Sequence, residues 1–144
     1  MKKIGIDVGG VIIEKNNDAK DTSFDMNDVV FVEGALETIA RLAQTYDLYI
    51  VSYCGKTREQ KTRKALNIAN IAISEDKWYF TRSREAKGPV CEKLQLDYFI
   101  DDTWQVVDIV SKICKSKTFW FRGKDIRKYN ITSVQSWTEI AKHL

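Results

Sequence analysis

Histidine, cysteine and proline are scarce in this chain, and the first two scarcities narrow what it does. The one histidine, His143, stands one residue from the end of the sequence and reads as a surface residue rather than a catalytic base. Cys54, Cys91 and Cys114 are odd in number and form no CxxC pair, so reduced intracellular thiols are the expectation. Cys54 follows Ser52 by two residues, but no histidine accompanies it, and it reads as a structural thiol. No apolar run approaches the roughly 20 residues that a membrane helix needs. The opening MKKIGIDVGG lacks a long apolar core followed by a small-residue cleavage site, so no secretory signal is expected. A cytoplasmic protein without membrane contact follows as the expectation. Repeats, low-complexity segments and linkers are absent too.

What remains is ordinary globular composition, 44% hydrophobic and 30% charged over 144 residues. That length suits one domain over 1–144, able to bury roughly two-thirds of the surface its unfolded chain exposes. The net charge of +3 is mild, yet basic residues gather at KTREQKTRK (56–64) and RGKDIRK (122–128). A solvated helix face and a surface loop account for them. A phosphate-rich partner such as nucleic acid is the alternative, although no nucleic-acid module accompanies these runs.

Strand-like and helix-like patterns alternate. Residues 2–8 read as a strand, 9–14 as a turn with a short extended return, and 15–28 as a polar loop. EGALETIARLAQ predicts an amphipathic helix with Leu36, Ile39, Ala40, Leu42 and Ala43 on one face. Strands follow at 47–52, 76–81, 97–101 and 117–121, and helices at 56–69, 89–94 and 103–113; an extended piece and a closing helix end the chain. This alternation predicts an α/β fold: a three-layer, Rossmann-like, mostly parallel sheet with helices on both faces.

Ligands of such sheets sit at the carboxyl ends of the strands. Asp7 stands there after the first strand, Ser52 after the second, and Asp101 and Asp102 after DYFI, while Lys87 precedes the helix leading into that strand. One hydroxyl, one ammonium and three carboxylates therefore converge on one rim. Asp101 and Asp102 are also suited to cap the helix near Thr103, a role compatible with metal binding. Trp104 follows them and is a candidate for stacking on substrate; Trp78, Trp120 and Trp137 read as packing residues.

In this arrangement the chain resembles the haloacid dehalogenase-like hydrolases. IGIDVGGV (4–11) looks like that family's first motif, LYIVS (48–52) its second, Lys87 in REAKGP its third and YFIDD (98–102) its fourth. The resemblance implies that Asp7 attacks phosphorus and becomes an aspartyl phosphate. It implies Mg²⁺ held by Asp7, the Gly9 carbonyl and Asp102, with Asp101 orienting them or exchanging roles with Asp102. Ser52 would donate to a phosphoryl oxygen, and Lys87 would neutralise charge around the nucleophile.

Gly9 departs from the pattern, because the family's phosphatases place a second aspartate there as general acid and base. Such a group contributes about 10²- to 10⁴-fold. Three explanations stay open: a leaving group that needs no proton, a substitute donor (Glu14, Asp18, Asp21, Tyr53 or Cys54), or a catalytically weak or inactive binding or regulatory protein that keeps the metal site. The same stretch is similar to the first phosphate loop of actin-fold sugar kinases, where Gly9 and Gly10 would let the backbone approach phosphates. Val11 in place of threonine, the short chain and the missing second phosphate loop count against that reading. Only residues 15–30 are free to form a lid, so no cap domain is expected. An uncapped site suits a phosphorylated substrate that is large, or a small one enclosed by another subunit.

Overall fold

Strands and helices alternate along the computed structural model, which describes residues 1–15, 29–128 and 130–144. In chain order they are β1 (Lys3–Ile6), α1 (Ala35–Leu42), β2 (Asp47–Tyr53), α2 (Lys56–Ile68), β3 (Trp78–Thr81), α3 (Lys87–Leu94), β4 (Tyr98–Asp101), α4 (Trp104–Ile113), β5 (Lys117–Phe121), β6 (Arg127–Lys128), β7 (Ile131–Val134) and α5 (Trp137–His143). Six strands run parallel in the order β3-β2-β1-β4-β5-β7, and β6 joins β7 antiparallel at the edge. The three-layer α/β architecture expected from the alternation is the one observed.

Side-chain alternation explains the two helical layers. Ile4 and Ile6 of β1, Leu48 and Ile50 of β2 and Ile100 of β4 share one buried cluster with Ala35 and Ile39 of α1, Leu66 of α2 and Trp137 of α5. Val51 and Phe99 point to the other face, against Cys91 of α3 and Val106 and Val110 of α4. Successive strand residues face opposite sides, so each buried strand needs apolar residues at both parities. Gly5 is the exception with a reason. It pairs with Phe99, and a Cβ there would lie 2.4 Å from Leu96 Cδ1 and 3.1 Å from Phe99 Cδ2. Only glycine leaves room for both side chains at full packing density.

Several local expectations are corrected. The buried face of α1 is Ala35, Thr38, Ile39 and Leu42, while Leu36 is half-buried and Ala40 exposed. Helix α3 begins at Lys87, two residues before the predicted start, so Pro89 sits inside the first turn, where a missing N–H costs little. Part of the basic run 122–128 is strand β6 rather than loop. The polar run 16–28 lies outside the described residues, and with it Asp18 and Asp21.

The chain runs outward from β1 through β2 to β3, then crosses back to β4 on the other side of β1. Strand order therefore reverses between β1 and β4, which opens a crevice beyond their carboxyl ends. Among the described residues, no helix is long and apolar enough to cross a membrane.

Candidate active site

Asp7 follows β1 directly, and its N–H donates to the Ile100 carbonyl at 2.9 Å, which extends the β1–β4 ladder by one residue. The chain then turns sharply: the N–H groups of Val11, Ile12 and Ile13 all reach the Val8 carbonyl, at 3.1, 2.8 and 3.0 Å. Gly10 holds the left-handed backbone this turn needs (φ 81°). Its missing side chain matters as much, because a Cβ there would lie 2.1 Å from Asp102 Oδ2. Gly10 thus admits a carboxylate from the neighbouring strand end.

Asp101 is the last residue of β4 and is wholly buried. Between it and Asp7 lies Lys87, itself only 2% exposed. Lys87 Nζ donates to Asp7 Oδ1 at 2.9 Å and to Asp101 Oδ2 at 2.7 Å. The other Asp101 oxygen accepts from the Thr103 N–H at 2.9 Å. Close packing buries the lysine: at Gly88 a Cβ would stand 2.8 Å from Ile113 Cδ1 and 3.1 Å from Ile109 Cγ2, so α3 presses onto α4 from its first turn.

Asp102 lies at the rim, where Lys15 Nζ pairs with its Oδ2 at 2.8 Å and Thr103 Oγ1 donates to its Oδ1 at 3.3 Å. Asp7, Asp101 and Asp102 each bring one carboxylate oxygen within 4.8 Å of the others. Burial, then the Asp101 charge, push the Asp7 carboxyl well above its usual value, against the pull of Lys87. Asp101 is raised as well, chiefly by burial, with Lys87 opposing. Burial pulls the Lys87 ammonium down, yet Asp7 and Asp101 outweigh it and hold it above its usual value. Three crowded oxygen donors with unfavourable self-repulsion are the donor set that a hard divalent cation suits.

Asp7, Lys87 and Lys15 line a cavity of about 710 Å³, as does Ser52 at the end of β2, while Asp101 and Asp102 stand behind that wall, joined to it through Lys87 and Lys15. The structure therefore brings together all the strand-end residues, Asp7, Ser52, Asp101 and Asp102, with Lys87; Gly9 lines the same cavity. The helix-capping reading of the acidic pair reduces to the Asp101–Thr103 contact, since Thr103, the N-cap of α4, makes no side-chain capping bond.

Other candidates are placed differently. Trp104 packs on Trp120, ring centroids 4.9 Å apart, and is not among the residues that line the cavity. Glu14 lines the cavity but accepts two bonds from Arg122, 2.7 and 2.8 Å, which lower its pKa and make it a poor proton donor. Cys54 is buried at the cavity wall, its thiol pushed up by burial, so it stays neutral and un-nucleophilic. His143 is exposed and rests on Phe119, centroids 5.6 Å apart. Two features escaped the sequence reading: Lys15 on Asp102, and Trp120 Nε1 donating to the Asp102 carbonyl at 3.1 Å. Gly10 was the visible signal of the first, marking a place where Asp102 and Lys15 approach the backbone.

No protein-family model matches the sequence. A Bacillus cereus protein with the name "Putative nucleotidase" is 26% identical over 108 residues, which cover 74% of this chain and 56% of that protein. A protein of the same designation from Oceanobacillus iheyensis is 24% identical over 86 residues, or 59% of this chain and 46% of its own. The chain thus spans about half the length of the curated relatives it matches. Among solved structures, a haloacid dehalogenase-like family hydrolase from Xanthomonas campestris superposes with a TM-score of 0.71 at 8% identity, covering 99% of this chain and 95% of the other. A HAD-superfamily hydrolase of subfamily IA from Geobacter sulfurreducens gives 0.70 at 10% identity, covering 99% and 96%.

Proposed function

We propose that this chain, which has the haloacid dehalogenase-like fold, hydrolyses phosphate monoesters with Asp7 as nucleophile. One observation carries the reading. A buried ammonium joins the carboxylates that end β1 and β4, at the crevice where such sheets bind ligands. Lys87 holds Oδ1 of Asp7, which leaves Oδ2 to attack phosphorus and expel the ester oxygen. Water then cleaves the resulting acyl phosphate and releases inorganic phosphate. Ser52 and Lys87 bind the phosphoryl oxygens, and Gly9 and Gly10 let the backbone come close to them. Mg²⁺ on Asp7, Asp102 and the Gly9 carbonyl, with Asp101 beside them, would supply positive charge to the transferring group. The curated relatives' designation as nucleotidases favours a nucleotide-like substrate, and the acidic trio suits the cation that would accompany its phosphate; the three free thiols fit a reducing cytoplasm. Among the described residues no cap domain covers the site, which leaves it open to a larger substrate as well. The test is Mg²⁺-dependent release of phosphate from an aryl ester; no turnover under any divalent cation would overturn the reading.

Gly9 favours the second reading, a protein that binds phosphate and metal without turnover. Such a protein would gain thermal stability from Mg²⁺ with a phosphate-mimicking fluoride complex, yet cleave nothing. The kinase reading loses its basis, because β1 is parallel to both of its neighbours and forms no phosphate-gripping hairpin.

Position 9 has room for a side chain. A Cβ there would meet only Lys15 Cε at 3.7 Å and Cγ at 4.0 Å, ordinary contact distances. Gly9→Asp is therefore expected to fold and to raise turnover of an alkyl phosphate roughly tenfold or more, with a smaller change on the aryl ester. The ratio of the two kcat/KM values reads this directly. An unchanged ratio would mean that the missing acid is not the restriction.

Lys15 occupies the carboxylate that the cation needs. Its Lys15→Met variant is expected to bind Mn²⁺ about two- to fivefold tighter by calorimetry, as losing a half-exposed ion pair of about 0.5–1 kcal/mol implies. Equal or weaker binding would place the metal away from Asp102.

A further inference from the structure

The charges around the cavity exceed what one phosphate needs. Several of its charged residues already have partners: Asp7 has Lys87, Glu14 has Arg122, and Lys15 has Asp102. Among the described residues, Lys56 at the start of α2 has no acidic partner, and Arg84 has only neutral ones. Arg84 Nη1 donates to Gln105 Oε1 at 2.8 Å, and its guanidinium lies 6.0 Å over the Tyr53 ring. The nearest comparable arginines behave differently: Arg63 and Arg82 both pair with Glu59, at 2.9 and 2.8 Å. Arg84 is thus oriented by an amide and a ring rather than neutralised by an acid.

Tyr53 is 46% exposed at the same wall, an aromatic face left open where β2 ends. An arginine beside an exposed ring is a surface on which a nucleobase or another planar group stacks. Arg84 beside it and Lys56 on the same cavity wall add charge-assisted donors for phosphate oxygens. In the phosphatase reading the reacting phosphate would be served by Ser52, Lys87 and a cation held by the aspartates.

We propose that Tyr53, Lys56 and Arg84 form a second anion subsite, which takes a phosphate other than the one attacked. The substrate is then a nucleotide with phosphates on two separate oxygens, one hydrolysed at Asp7 and one held at this wall. This assignment rests on the phosphatase reading for the reacting phosphate and on the cavity lining for the second.

The experiment compares kcat/KM for three substrates: an aryl phosphate, a nucleoside 5′-monophosphate and the matching 3′,5′-bisphosphate. Wild type and the double variant Lys56→Gln, Arg84→Gln are measured side by side. The bisphosphate is expected to outperform the monophosphate by roughly tenfold to a hundredfold, as two charge-assisted phosphate contacts allow. The double variant should lose that preference and keep the aryl phosphate rate. No preference in the wild type, or a preference that survives both substitutions, overturns the subsite. If even the aryl ester is not cleaved, the phosphatase reading fails by itself. Calorimetry of bisphosphate binding, wild type against double variant, then decides the subsite: at least tenfold weaker binding in the variant supports it, and equal binding overturns it.

Discussion

Asp7→Asn is expected to abolish hydrolysis of aryl phosphate, by about 10⁴-fold or more, while the protein stays folded and becomes no less stable. The loss follows from removing the nucleophile, since the residual rate then comes only from binding and charge. The stability half of the prediction comes from the buried cluster. Asp7 and Asp101 share one ammonium, so with both carboxylates ionised the group carries an excess negative charge away from water. Asparagine keeps a hydrogen-bond acceptor for Lys87 and leaves Asp101 as its counter-charge.

The pH dependence has a defined sign. Burial raises the folded pKa of Asp7 above the unfolded value of roughly 4. The folded state therefore binds the proton more tightly, and ionised Asp7 costs stability increasingly as pH rises above that value. Without divalent cation, Asp7→Asn should match the wild type in Tm near pH 4 and exceed it at pH 7.5. A variant that melts lower than wild type at pH 7.5 would show that Asp7 is held for the fold rather than for chemistry. Full retained activity would remove Asp7 from the mechanism.

Lys87→Met is expected to destabilise the protein by about 3–5 kcal/mol at neutral pH, the usual consequence of stranding buried charge. Here one substitution takes the shared counter-charge from two carboxylates and leaves Asp101 with only its Thr103 N–H bond. Their pKa values, already raised, would rise further, so the variant regains stability as pH falls and the carboxyls take up protons. Urea midpoints at pH 5 and pH 7.5 check this, and the deficit should be smaller at the lower pH. In the wild type the Lys87 ammonium is held above its ordinary value, so its own contribution persists through neutrality and is lost only in strong alkali. A deficit below about 1 kcal/mol at pH 7.5 would show that water reaches the cluster and that the buried ion pairs are not formed in solution. Combining Lys87→Met with Asp7→Asn should cost less than the sum of the two, because the residues share one cluster.

The alternation of apolar strands and amphipathic helices was legible because it is local. Residues 47–53 and 117–121 bury side chains at both parities, and that demand is written in the letters themselves. So was the placement of Asp7, Ser52, Asp101 and Asp102, since each ends an apolar run that has to stop at a strand's carboxyl end. Less legible was the face of α1, where Ala35 and Thr38 rather than Leu36 and Ala40 meet the sheet. Helical position relative to the sheet, not side-chain apolarity, chose among them.

By itself, then, the sequence determined the order of elements, the parallel sheet and which polar residues stand at its rim, all consequences of periods of two and 3.6 residues. Tertiary structure alone decided who meets whom there. Asp7 and Asp101 meet because the strand order reverses between β1 and β4, and Lys87 reaches both because Gly88 lets α3 press onto α4. Gly10 admits the Asp102 carboxylate, Lys15 pairs with it, and Glu14 is withdrawn by Arg122 across 108 positions of chain. None of these pairings has a local signature, because the energy that selects them comes from burial and charge between distant segments, and only the folded sheet brings those segments within bonding range.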